Sequence, residues 1–303
     1  MLTVITGAAG FVGQAVVAEM LAVHHPGRIR LVDRVLAPMP APQFASVVCD
    51  VSDKAALRHA LADATHVIHL SALPGGASEA NPVASRRINV DATLDLIAAL
   101  SGTSARLVYA SSIAVLGSGL NGLIDDETVP RPGMTYGAHK LMCEIAIEDA
   151  VRRGDLSALA LRLPGIVARP RSADGFGSAF LSDLFWAIRA GDEITVPVSS
   201  EATTWLISAR QCARNLLLAL QLDDRPAVAT MPALRVQLTE LVAEISQYCG
   251  TAPKVQFKAD PRTETLFGAF PALVTAAADG MGLKHDGDLP ALVRAVFEGE
   301  TAK

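Results

Sequence analysis

The sequence predicts an α/β fold in which a doubly wound parallel sheet carries most of the chain and a smaller C-terminal α/β lobe completes it. Two observations favour this class. Apolar, β-type runs alternate with amphipathic stretches along the first half, and the first run closes on glycines at spacing three. At 303 residues, half of them hydrophobic, the chain is long enough for a large aliphatic core and a second lobe.

The chain is organised around VITGAAGFVG, Val4–Gly13, a short strand that meets a glycine turn and then a helix over Gln14–Val23. Glycines lack a Cβ atom, so they permit a tight turn and a close approach of the backbone to a pyrophosphate. The helix directs its free N–H groups and its positive end at the phosphates. An ordinary tight turn is the alternative. The residues predicted to hold a dinucleotide here are Gly7, Gly10, Phe11, Val12 and Gly13.

A second strand, Arg28–Asp33, ends in an acid twenty positions after Gly13. A carboxylate there accepts hydrogen bonds from the ribose hydroxyls of an adenosine and repels a 2′-phosphate. NAD is therefore the predicted cofactor rather than NADP, although the neighbouring Arg34 is able to receive such a phosphate. A simple turn residue is the alternative for Asp33.

A third strand, Phe44–Val51, is predicted to bring further cofactor contacts to the same edge of the sheet. Asp50 and Val51 would face the exocyclic amine and the plane of an adenine. Asp50 would equally serve as a cap of the next helix, although Ser52 and Asp53 are better placed for that role.

A fourth strand, His66–Ser71, leads into the small, flexible loop Ala72–Ala77 at the carboxyl end of the sheet, where ligands enter such folds. His66 and His69 point to opposite faces of the strand and form a poor metal pair, so no metal is predicted. The cofactor contacts predicted at this point are Leu70, Ser71 and Ala72.

A helix over Asn89–Leu100 and a fifth strand, Arg106–Ala110, precede the double serine at 111 and 112. Tyr136 and Lys140 follow, four residues apart, so a phenol and an ammonium share one helix face. An ordinary phenol has a pKa of about 10, and forming its anion at neutral pH costs about 4 kcal/mol. The ammonium and a positive nicotinamide ring both favour the anion.

Tyr136 would then remove the proton of a substrate hydroxyl as hydride leaves the carbon, which is general base catalysis. Ser112 would hydrogen-bond the same oxygen. The alternative is a surface helix on which a tyrosine and a lysine are incidental neighbours.

Charge and cysteine usage exclude several other classes of function. The formal net charge is −5 and there is no basic block, so neither nucleic acid nor an anionic membrane is an expected partner. No uncharged apolar stretch reaches the length of a membrane helix, and no charged leader precedes an apolar core. The scattered cysteines read as reduced thiols, which predicts a cytoplasmic protein; they are Cys49, Cys143, Cys212 and Cys249.

The motifs GAAGFVG at Gly7, SALPG at Ser71, SSIAVLG at Ser111 and YGAHK at Tyr136 resemble those of the extended short-chain dehydrogenase/reductase family, the NAD-dependent epimerases and dehydratases. The resemblance covers nearly the whole chain and implies a Rossmann-type fold with NAD as cofactor. It implies a catalytic triad of Ser112, Tyr136 and Lys140, in which Lys140 also holds the nicotinamide ribose.

The same resemblance implies that Asn89 orders the active-site helix and a relayed water. Backbone groups after the strand RLPGIV, Arg162–Val167, would bind the nicotinamide carboxamide. The residues implied in that contact are Pro164, Ile166 and Val167.

Family members that act on nucleotide sugars usually carry an Arg-Asp pair where residues 203–205 of this chain read Thr-Thr-Trp. The arginine that would grip a diphosphate is missing, and Gly165 stands where many members have a substrate-binding asparagine. A compact substrate without a diphosphate is therefore predicted. Arg210 or Arg171 would anchor a carboxylate, and each is alternatively a surface charge.

The segment Arg169–Phe180, with glycines at 175 and 177, is a predicted lid. The residues predicted to line the substrate site are Ser112, Ile113, Tyr136, Gly165, Ser178, Phe180 and Arg210.

The combination of SSIAVLG, LPGIVARP, GSAF and TTWLISA resembles the D-erythronate dehydrogenase branch of the family. Such enzymes use NAD to oxidise the hydroxyl next to the carboxylate of a four-carbon sugar acid. The resemblance implies oxidation of a small sugar acid, with D-erythronate to 2-oxo-tetronate as the best single candidate. The alternatives are a nucleotide-sugar epimerase or dehydratase, an L-threonine 3-dehydrogenase-like enzyme, and a dinucleotide-binding protein without catalysis, against which the intact triad argues.

The C-terminal part is predicted to combine helices over Ser208–Leu220, Leu238–Cys249 and Leu289–Phe297 with strands over Val228–Leu234 and Lys254–Phe257. Residues 1–168 plus 206–225 are assigned to an NAD-binding domain, and residues 169–205 plus 226–303 to a substrate-binding lobe. The family resemblance also implies a homodimer built on the helices that begin near Asn89 and Tyr136. Its apolar surface would come from Leu94, Ile97, Met142 and Ile145, which one chain is equally able to bury.

Overall fold

The structure is a computed structural model that describes residues 1–36, 41–171, 177–223 and 225–299. In chain order its strands are β1 (Leu2–Thr6), β2 (Arg28–Asp33), β3 (Phe44–Val48), β4 (His66–His69), β5 (Arg106–Ser112), β6 (Leu123–Ile124), β7 (Ser157–Leu163), β8 (Gly165–Val167), β9 (Glu193–Val196), β10 (Thr203–Ser208), β11 (Val228–Thr230), β12 (Leu234–Gln237), β13 (Lys254–Phe257) and β14 (Ala272–Leu273).

The helices are α1 (Phe11–Ala22), α2 (Lys54–Ala60), α3 (Gly75–Ala80), α4 (Pro82–Ser85), α5 (Ala92–Leu100), α6 (Thr135–Arg152), α7 (Phe180–Ala190), α8 (Ala209–Gln221), α9 (Leu238–Cys249), α10 (Pro261–Phe267), α11 (Ala276–Gly280) and α12 (Leu289–Glu298). A π-helical turn over Arg86–Asp91 leads into α5, and short 3₁₀ turns cover Ile113–Val115 and Gly177–Ala179.

The chain forms two compact units. The first comprises Met1–Val115, Pro132–Arg162 and Ala213–Ala229, and the second comprises Leu116–Arg131, Leu163–Cys212 and Thr230–Lys303. This division is based only on how the chain packs. The functional division predicted from the sequence, an NAD-binding domain and a substrate-binding lobe, stays a prediction.

A seven-stranded sheet with the order β11-β7-β5-β4-β1-β2-β3 is the centre of the first unit. The pairs β1–β2, β2–β3, β1–β4 and β4–β5 are parallel. The β-branched run of β1, LTVIT, is buried throughout, as expected for a strand covered on both faces. The predicted doubly wound α/β fold is confirmed.

The order of the strands reverses between β1 and β4, because the chain first builds outward through β2 and β3 and then returns to the other side of β1. In open α/β sheets, ligands bind at the carboxyl ends of the strands at such a reversal. The glycine turn after β1 and the loop after β4 both lie at this point.

The second unit contains a three-stranded sheet with the order β12-β10-β8 and a two-stranded sheet of β13 and β9. Helices α7, α9 and α12 pack together with β8, β10 and β12 around one apolar core, to which Phe185, Leu206, Leu241 and Leu292 belong.

Several predicted boundaries are wrong, two of them for a local reason. The third strand ends at Val48, because the Asp50 carboxylate accepts bonds from the N–H and hydroxyl of Ser52 and turns the chain. The predicted strand Arg162–Val167 is broken at Pro164, which has no N–H to donate to a ladder. The first helix begins at Phe11 rather than Gln14.

Three further predictions of element boundaries are also wrong. The fourth strand ends at His69 instead of Ser71, and the predicted strand Val228–Leu234 is two separate strands, β11 and β12. The segment Ala72–Ala77, predicted as a loop, contains the start of α3 at Gly75. The Ser78 hydroxyl donates to the Leu73 carbonyl at 2.9 Å and supports this short helix.

Candidate active site

The glycine turn after β1 is packed directly against the end of β4. Gly7 has a φ of +73°, and a Cβ atom there would lie 2.7 Å from the backbone nitrogen of Ser71. A Cβ atom on Gly13 would lie 2.3 Å from the carbonyl oxygen of Gly7. Real Cβ atoms do not approach backbone atoms so closely, so only glycine fits at both positions.

The Asp33 carboxylate holds this turn in place. One of its oxygens accepts a hydrogen bond from the N–H of Ala9 at 3.0 Å, and the other accepts from Arg34 N–H at 2.7 Å. Each carboxylate oxygen has a further lone pair. Asp33 is therefore able to accept bonds from ribose hydroxyls at the point that the sequence predicted.

The start of α1 fits a pyrophosphate. Gly10 precedes the helix, no side chain caps its N-terminus, and its first turn contains no acidic residue. The first N–H groups of a helix have no intrahelical acceptor and carry partial positive charge. Together with the turn that only glycines can form, these groups fit the pyrophosphate that the sequence predicts at this point.

Asp50 and Val51 differ in their surroundings. Asp50 is exposed at the end of β3, and the hydrogen bonds from the N–H and hydroxyl of Ser52 are the main reason why its pKa is lowered. Val51 is buried in the core of the first unit. Of the caps considered for α2, Asp53 is the one formed, because its carboxylate accepts from the N–H groups of Ala55 and Ala56.

The Asn89 side chain is buried in the π-helical turn and holds the loop after β4. Its Oδ1 atom accepts from Leu73 N–H at 2.7 Å, and its Nδ2 atom donates to the Leu73 carbonyl at 3.0 Å. The carbonyl oxygen of Asn89 accepts bonds from the Thr93 hydroxyl at 2.8 Å and the Cys143 thiol at 3.1 Å. This side chain thus fixes the loop that contains Ser71 and Ala72.

Lys140 is buried on α6 with its Nζ atom 2.6 Å from the carbonyl oxygen of Ala110, to which it donates. The same Nζ lies 4.5 Å from the ring centre of Tyr109 and 5.6 Å from that of Tyr136. Burial lowers the pKa of Lys140 to about 8, while Cys143 and Glu144 act in the opposite direction. The ammonium and the phenol ring share a helix face, as the spacing predicted.

The start of α6 approaches the turn after Ser112 because residue 137 is a glycine. A Cβ atom on Gly137 would lie 2.2 Å from the carbonyl oxygen of Ala114. The Ser112 hydroxyl accepts from Ala114 N–H at 3.1 Å. Ser112, Ile113 and Tyr136 are half-buried. The close packing at Gly137 brings the elements that carry the predicted triad together.

A buried ion pair lies one turn further along α6. The carboxylate of Glu144 accepts from Arg162 Nη2 at 2.9 Å and from Arg162 Nε at 3.1 Å, and it also accepts from the Ser111 hydroxyl at 2.5 Å. Sequence reasoning missed this group. The spacing that links Tyr136 to Lys140 continues to Glu144 and is the signal that predicts its place on the same face.

In the second unit, the close packing of two strands explains why residue 165 is a glycine. A Cβ atom there would lie 2.9 Å from the Trp205 carbonyl oxygen on the neighbouring strand β10. Where nucleotide-sugar enzymes carry Arg-Asp, the Thr203 hydroxyl donates to the Phe270 carbonyl and the buried Trp205 indole donates to that of Pro271, each at 2.8 Å. The polar atoms of these two side chains are occupied by backbone carbonyl groups.

The other predicted substrate residues of the second unit lie in different surroundings. Phe180 is buried in the core around α7, whereas Ser178 is half-buried in the 3₁₀ turn before it. Arg210 is exposed in the first turn of α8. Arg171 pairs with Asp192 at 3.0 Å. Residues 172–176 of the predicted lid lie outside the described residues.

The backbone segment predicted to meet the nicotinamide belongs to the second unit. Pro164 separates β7 from β8, and Ile166 is half-buried in β8 while Val167 is buried there. The cofactor and substrate roles of all these residues stay predictions.

The family model for the NAD dependent epimerase/dehydratase family matches residues 3–229. The chain belongs to this family. NAD is accordingly its cofactor, as Asp33 and the glycine turn predicted, and the prediction of an NAD-dependent enzyme that acts on CH–OH groups is confirmed.

Similar proteins in this family cover nearly all of the chain. A D-erythronate dehydrogenase of Cupriavidus necator is 30% identical, with 98% of each chain covered. A D-erythronate dehydrogenase of Haemophilus influenzae is 28% identical over 98% of this chain and 99% of its own. The crystal structure of a nucleoside-diphosphate-sugar epimerase from Agrobacterium tumefaciens has a TM-score of 0.89 and 25% identity, covering 100% of this chain and 95% of its own.

Across the described parts of the chain, no group of three or more His, Cys, Asp or Glu side chains is arranged to hold a metal ion. Within the same residues, no helix has the length and apolar character to cross a membrane. His69 is buried, and its ring nitrogens lie 2.6 Å from the Thr6 hydroxyl and 3.2 Å from that of Thr93.

Proposed function

We propose that this protein uses NAD to oxidise a small sugar acid, with D-erythronate as the substrate and 2-oxo-tetronate as the product. The observation that carries the proposal is the 30% identity to the D-erythronate dehydrogenase of Cupriavidus necator, which extends over 98% of both chains. A second relative of the same name, from Haemophilus influenzae, is similar over the same length.

The strand β10 supports a compact substrate. Thr203 and Trp205 stand in the region where nucleotide-sugar enzymes commonly carry an arginine for a diphosphate, and both side chains are bonded to the carbonyl groups of Phe270 and Pro271. Gly165 has no side chain, and the backbone of Trp205 leaves no space for one. Neither strand offers a guanidinium at these positions.

The chemistry proposed for the first unit is proton removal coupled to hydride loss. Tyr136, as the anion, accepts the proton of the substrate hydroxyl adjacent to the carboxylate, and the Lys140 ammonium stabilises that anion. The Ser112 hydroxyl donates a hydrogen bond to the same substrate oxygen. The glycine turn and α1 would hold NAD, which would supply the acceptor for the hydride that leaves the substrate carbon. The products are a 2-oxo acid, NADH and one proton.

The cofactor contacts extend this proposal. The glycine turn and α1 bind the pyrophosphate, Asp33 binds the adenosine ribose, and the edge formed by Asp50 and Val51 receives the adenine. The remaining proposed contacts are Leu70, Ser71, Ala72, Asn89, Pro164, Ile166 and Val167. Residues 1–168 plus 206–225 form the NAD-binding domain in this proposal, and residues 169–205 plus 226–303 form the substrate lobe.

The substrate carboxylate is assigned to Arg210. Arg171, which pairs with Asp192, is the other candidate. A guanidinium binds a carboxylate through two parallel hydrogen bonds. Ser178 and Phe180 complete the proposed substrate site.

The test is the appearance of NADH absorbance with purified protein, NAD and a panel of four- to six-carbon sugar acids, L-threonine and nucleotide sugars. We expect turnover with D-erythronate or a close tetronate. The control is Tyr136→Phe protein with the same panel. Turnover of L-threonine alone, or of no hydroxy acid, would contradict the proposal.

A nucleotide-sugar epimerase is the second candidate, because a solved structure with that description is 25% identical over the whole chain. In this case hydride returns to the other face of the substrate, and no NADH accumulates. Conversion of a nucleotide sugar without an absorbance change in the same panel would favour it.

We also propose a homodimer and a cytoplasmic location. Leu94, Met142 and Ile145 on α5 and α6 are 42%, 49% and 57% exposed, which supports an apolar interface between copies, whereas Ile97 is buried within its own chain.

The four cysteines are free thiols, which supports a reducing compartment. Sedimentation velocity tests the dimer, and cell fractionation tests the location.

A further inference from the structure

Glu144 lies beneath the proposed catalytic group and connects three elements of the first unit. It is carried by α6, together with Tyr136 and Lys140. Its carboxylate accepts hydrogen bonds from Ser111 at the end of β5 and from Arg162 at the end of β7. Glu144 is 1% exposed and Arg162 is 7% exposed, so water does not weaken these contacts.

The contact of Glu144 with Ser111 affects the backbone on both sides of Ser111, which orients the proposed catalytic residues. Ser111 stands between Ala110, whose carbonyl oxygen accepts the bond from Lys140 Nζ, and Ser112. A carboxylate that fixes Ser111 therefore fixes the acceptor of Lys140 and the backbone of Ser112 together. The bonds to Arg162 hold α6 against the strand next to β5 in the sheet.

The charge of Glu144 is the second part of its effect on Lys140. The other titratable groups around Lys140 are His69, Tyr109, Cys143 and Tyr136. Burial lowers the pKa of His69 to about 3 and raises the pKa values of Tyr109 and Cys143, so these three are neutral near pH 7. Cys143 and Glu144 both oppose the effect of burial on the pKa of Lys140. Among these described neighbours, Glu144 is the carboxylate, and it is paired with Arg162.

We propose that Glu144 is a positioning residue of the Ser112, Tyr136 and Lys140 group, which ties α6 to the ends of β5 and β7 and keeps the Lys140 ammonium charged. The inference rests on the proposed function for its kinetic consequence. It adds a residue that does not touch the substrate and acts through Lys140.

The first test compares Glu144→Gln with Glu148→Gln, an exposed position one turn later on the same helix. Glutamine keeps the shape and an acceptor but removes the charge. We expect the acidic limb of the pH profile of kcat to move about one pH unit upward in Glu144→Gln. At pH values below the limb, kcat should therefore be about tenfold lower than in the parent, and the difference should disappear at high pH. NAD affinity should stay within about twofold, and Glu148→Gln should match the parent.

A uniform loss of kcat at every pH would overturn the proposal, because a merely structural defect lowers activity without moving the limb. Glu144→Asp is the conservative variant and should restore the parental limb. Since Glu144→Gln leaves Arg162 buried without its carboxylate, which destabilises a fold, Glu144→Gln with Arg162→Gln provides a second variant without an unpaired charge. Its limb should also move upward.

A measurement that needs no substrate separates this inference from the proposed function. The chain has three tyrosines, so the difference between the tyrosinate absorbance of the parent and of Tyr136→Phe, titrated with NAD bound, isolates Tyr136. Tyr136 should ionise at a higher pH in the Glu144→Gln background. An unchanged titration in Glu144→Gln overturns the role of Glu144. If the parent oxidises no hydroxy acid but Glu144→Gln still shifts the titration, only the proposed reaction is overturned.

Discussion

Lys140 carries an ammonium group in the interior of the first unit, where a charge is costly unless neighbours compensate for it. The Ala110 carbonyl oxygen accepts a bond from it, the ring of Tyr109 lies 4.5 Å from it, and Glu144 attracts it. Burial nevertheless lowers its pKa to about 8. A lysine with such a pKa is typical of functional sites, where the local electrostatics serve the chemistry.

Replacement of Tyr136 by phenylalanine removes one oxygen atom and keeps the ring. We expect kcat to fall at least about a hundredfold, because general base catalysis is lost, while the Kd for NAD changes little. Steady-state kinetics and a titration of NAD binding measure the two effects. The control is Tyr248→Phe, since Tyr248 is exposed and stacks on Phe297 in the second unit. Near-normal turnover in Tyr136→Phe would contradict the proposed mechanism.

The sequence predicted the contacts that depend on spacing along one helix or one turn. Tyr136 and Lys140 are of this kind, and so is the acid at position 33 after the glycine turn. It did not predict that Arg162 meets Glu144, because that contact depends on how β7 lies against α6. The bidentate hold of Asn89 on Leu73 is equally a product of tertiary structure, since the π-helical turn that orients Asn89 has no simple sequence signal.

The unit of strand β1, glycine turn and helix α1 works as a single element. The turn is closed by Gly10 N–H donating to the Gly7 carbonyl at 3.1 Å, and Gly13 then packs its Cα against the same carbonyl group. There is no space for a methyl group at this contact. The start of the helix is thereby held at the carboxyl end of the strand, where its N–H groups are available.

Gly13→Ala should disturb this element, because the new Cβ atom would lie 2.3 Å from Gly7 O and 2.7 Å from Ala8 Cα. Overpacking of this kind costs about 1–3 kcal/mol, so we expect at least about tenfold weaker NAD binding and a lower Tm. Isothermal titration and thermal unfolding measure both. Gly280→Ala, at the end of α11 with open space around it, is the control. Unchanged NAD affinity in Gly13→Ala would mean that the turn does not carry the cofactor.

Elements with strong periodicity were predicted at their observed ends, as β2, α9 and β13 show. Elements that depend on tertiary support were not. Helix α3 is rich in glycine and alanine and reads as a loop, yet the Ser78 and Asn89 side chains bond to Leu73 and stabilise the turn before it. The breaks at Pro164 and after β11 cut two runs that composition alone reads as continuous strands.

Several histidines of the first unit are held neutral by the fold. Burial lowers the pKa values of His25, His66 and His139, and it lowers that of His69 from 6.5 to about 3. The unfolded chain therefore binds protons more readily than the folded chain below about pH 6.5. The stabilisation from each such histidine is complete above that pH and is lost as the pH falls through the folded value.

We expect the free energy of unfolding to fall between about pH 6.5 and pH 3, with His69 contributing at most about 1.4 kcal/mol per pH unit. Urea unfolding at a series of pH values measures the slope. His69→Asn should flatten it by about one proton equivalent, whereas His59→Asn, at an exposed position on α2, should leave it unchanged. An identical slope in His69→Asn would show that its protonation is not linked to unfolding.

The first unit is assembled from three separate stretches of chain, which has a consequence for synthesis. Strand β7, supplied by the second stretch, lies between β5 and β11 in the sheet, and β11 is formed by Val228–Thr230. A ribosome must therefore translate residues 163–212, which belong to the other unit, before β7 gains its second neighbour. Until then β7 is an unpaired edge strand of the nascent sheet, and such an edge can pair with strands of other chains. The rate of translation across this stretch therefore determines how long the edge is exposed.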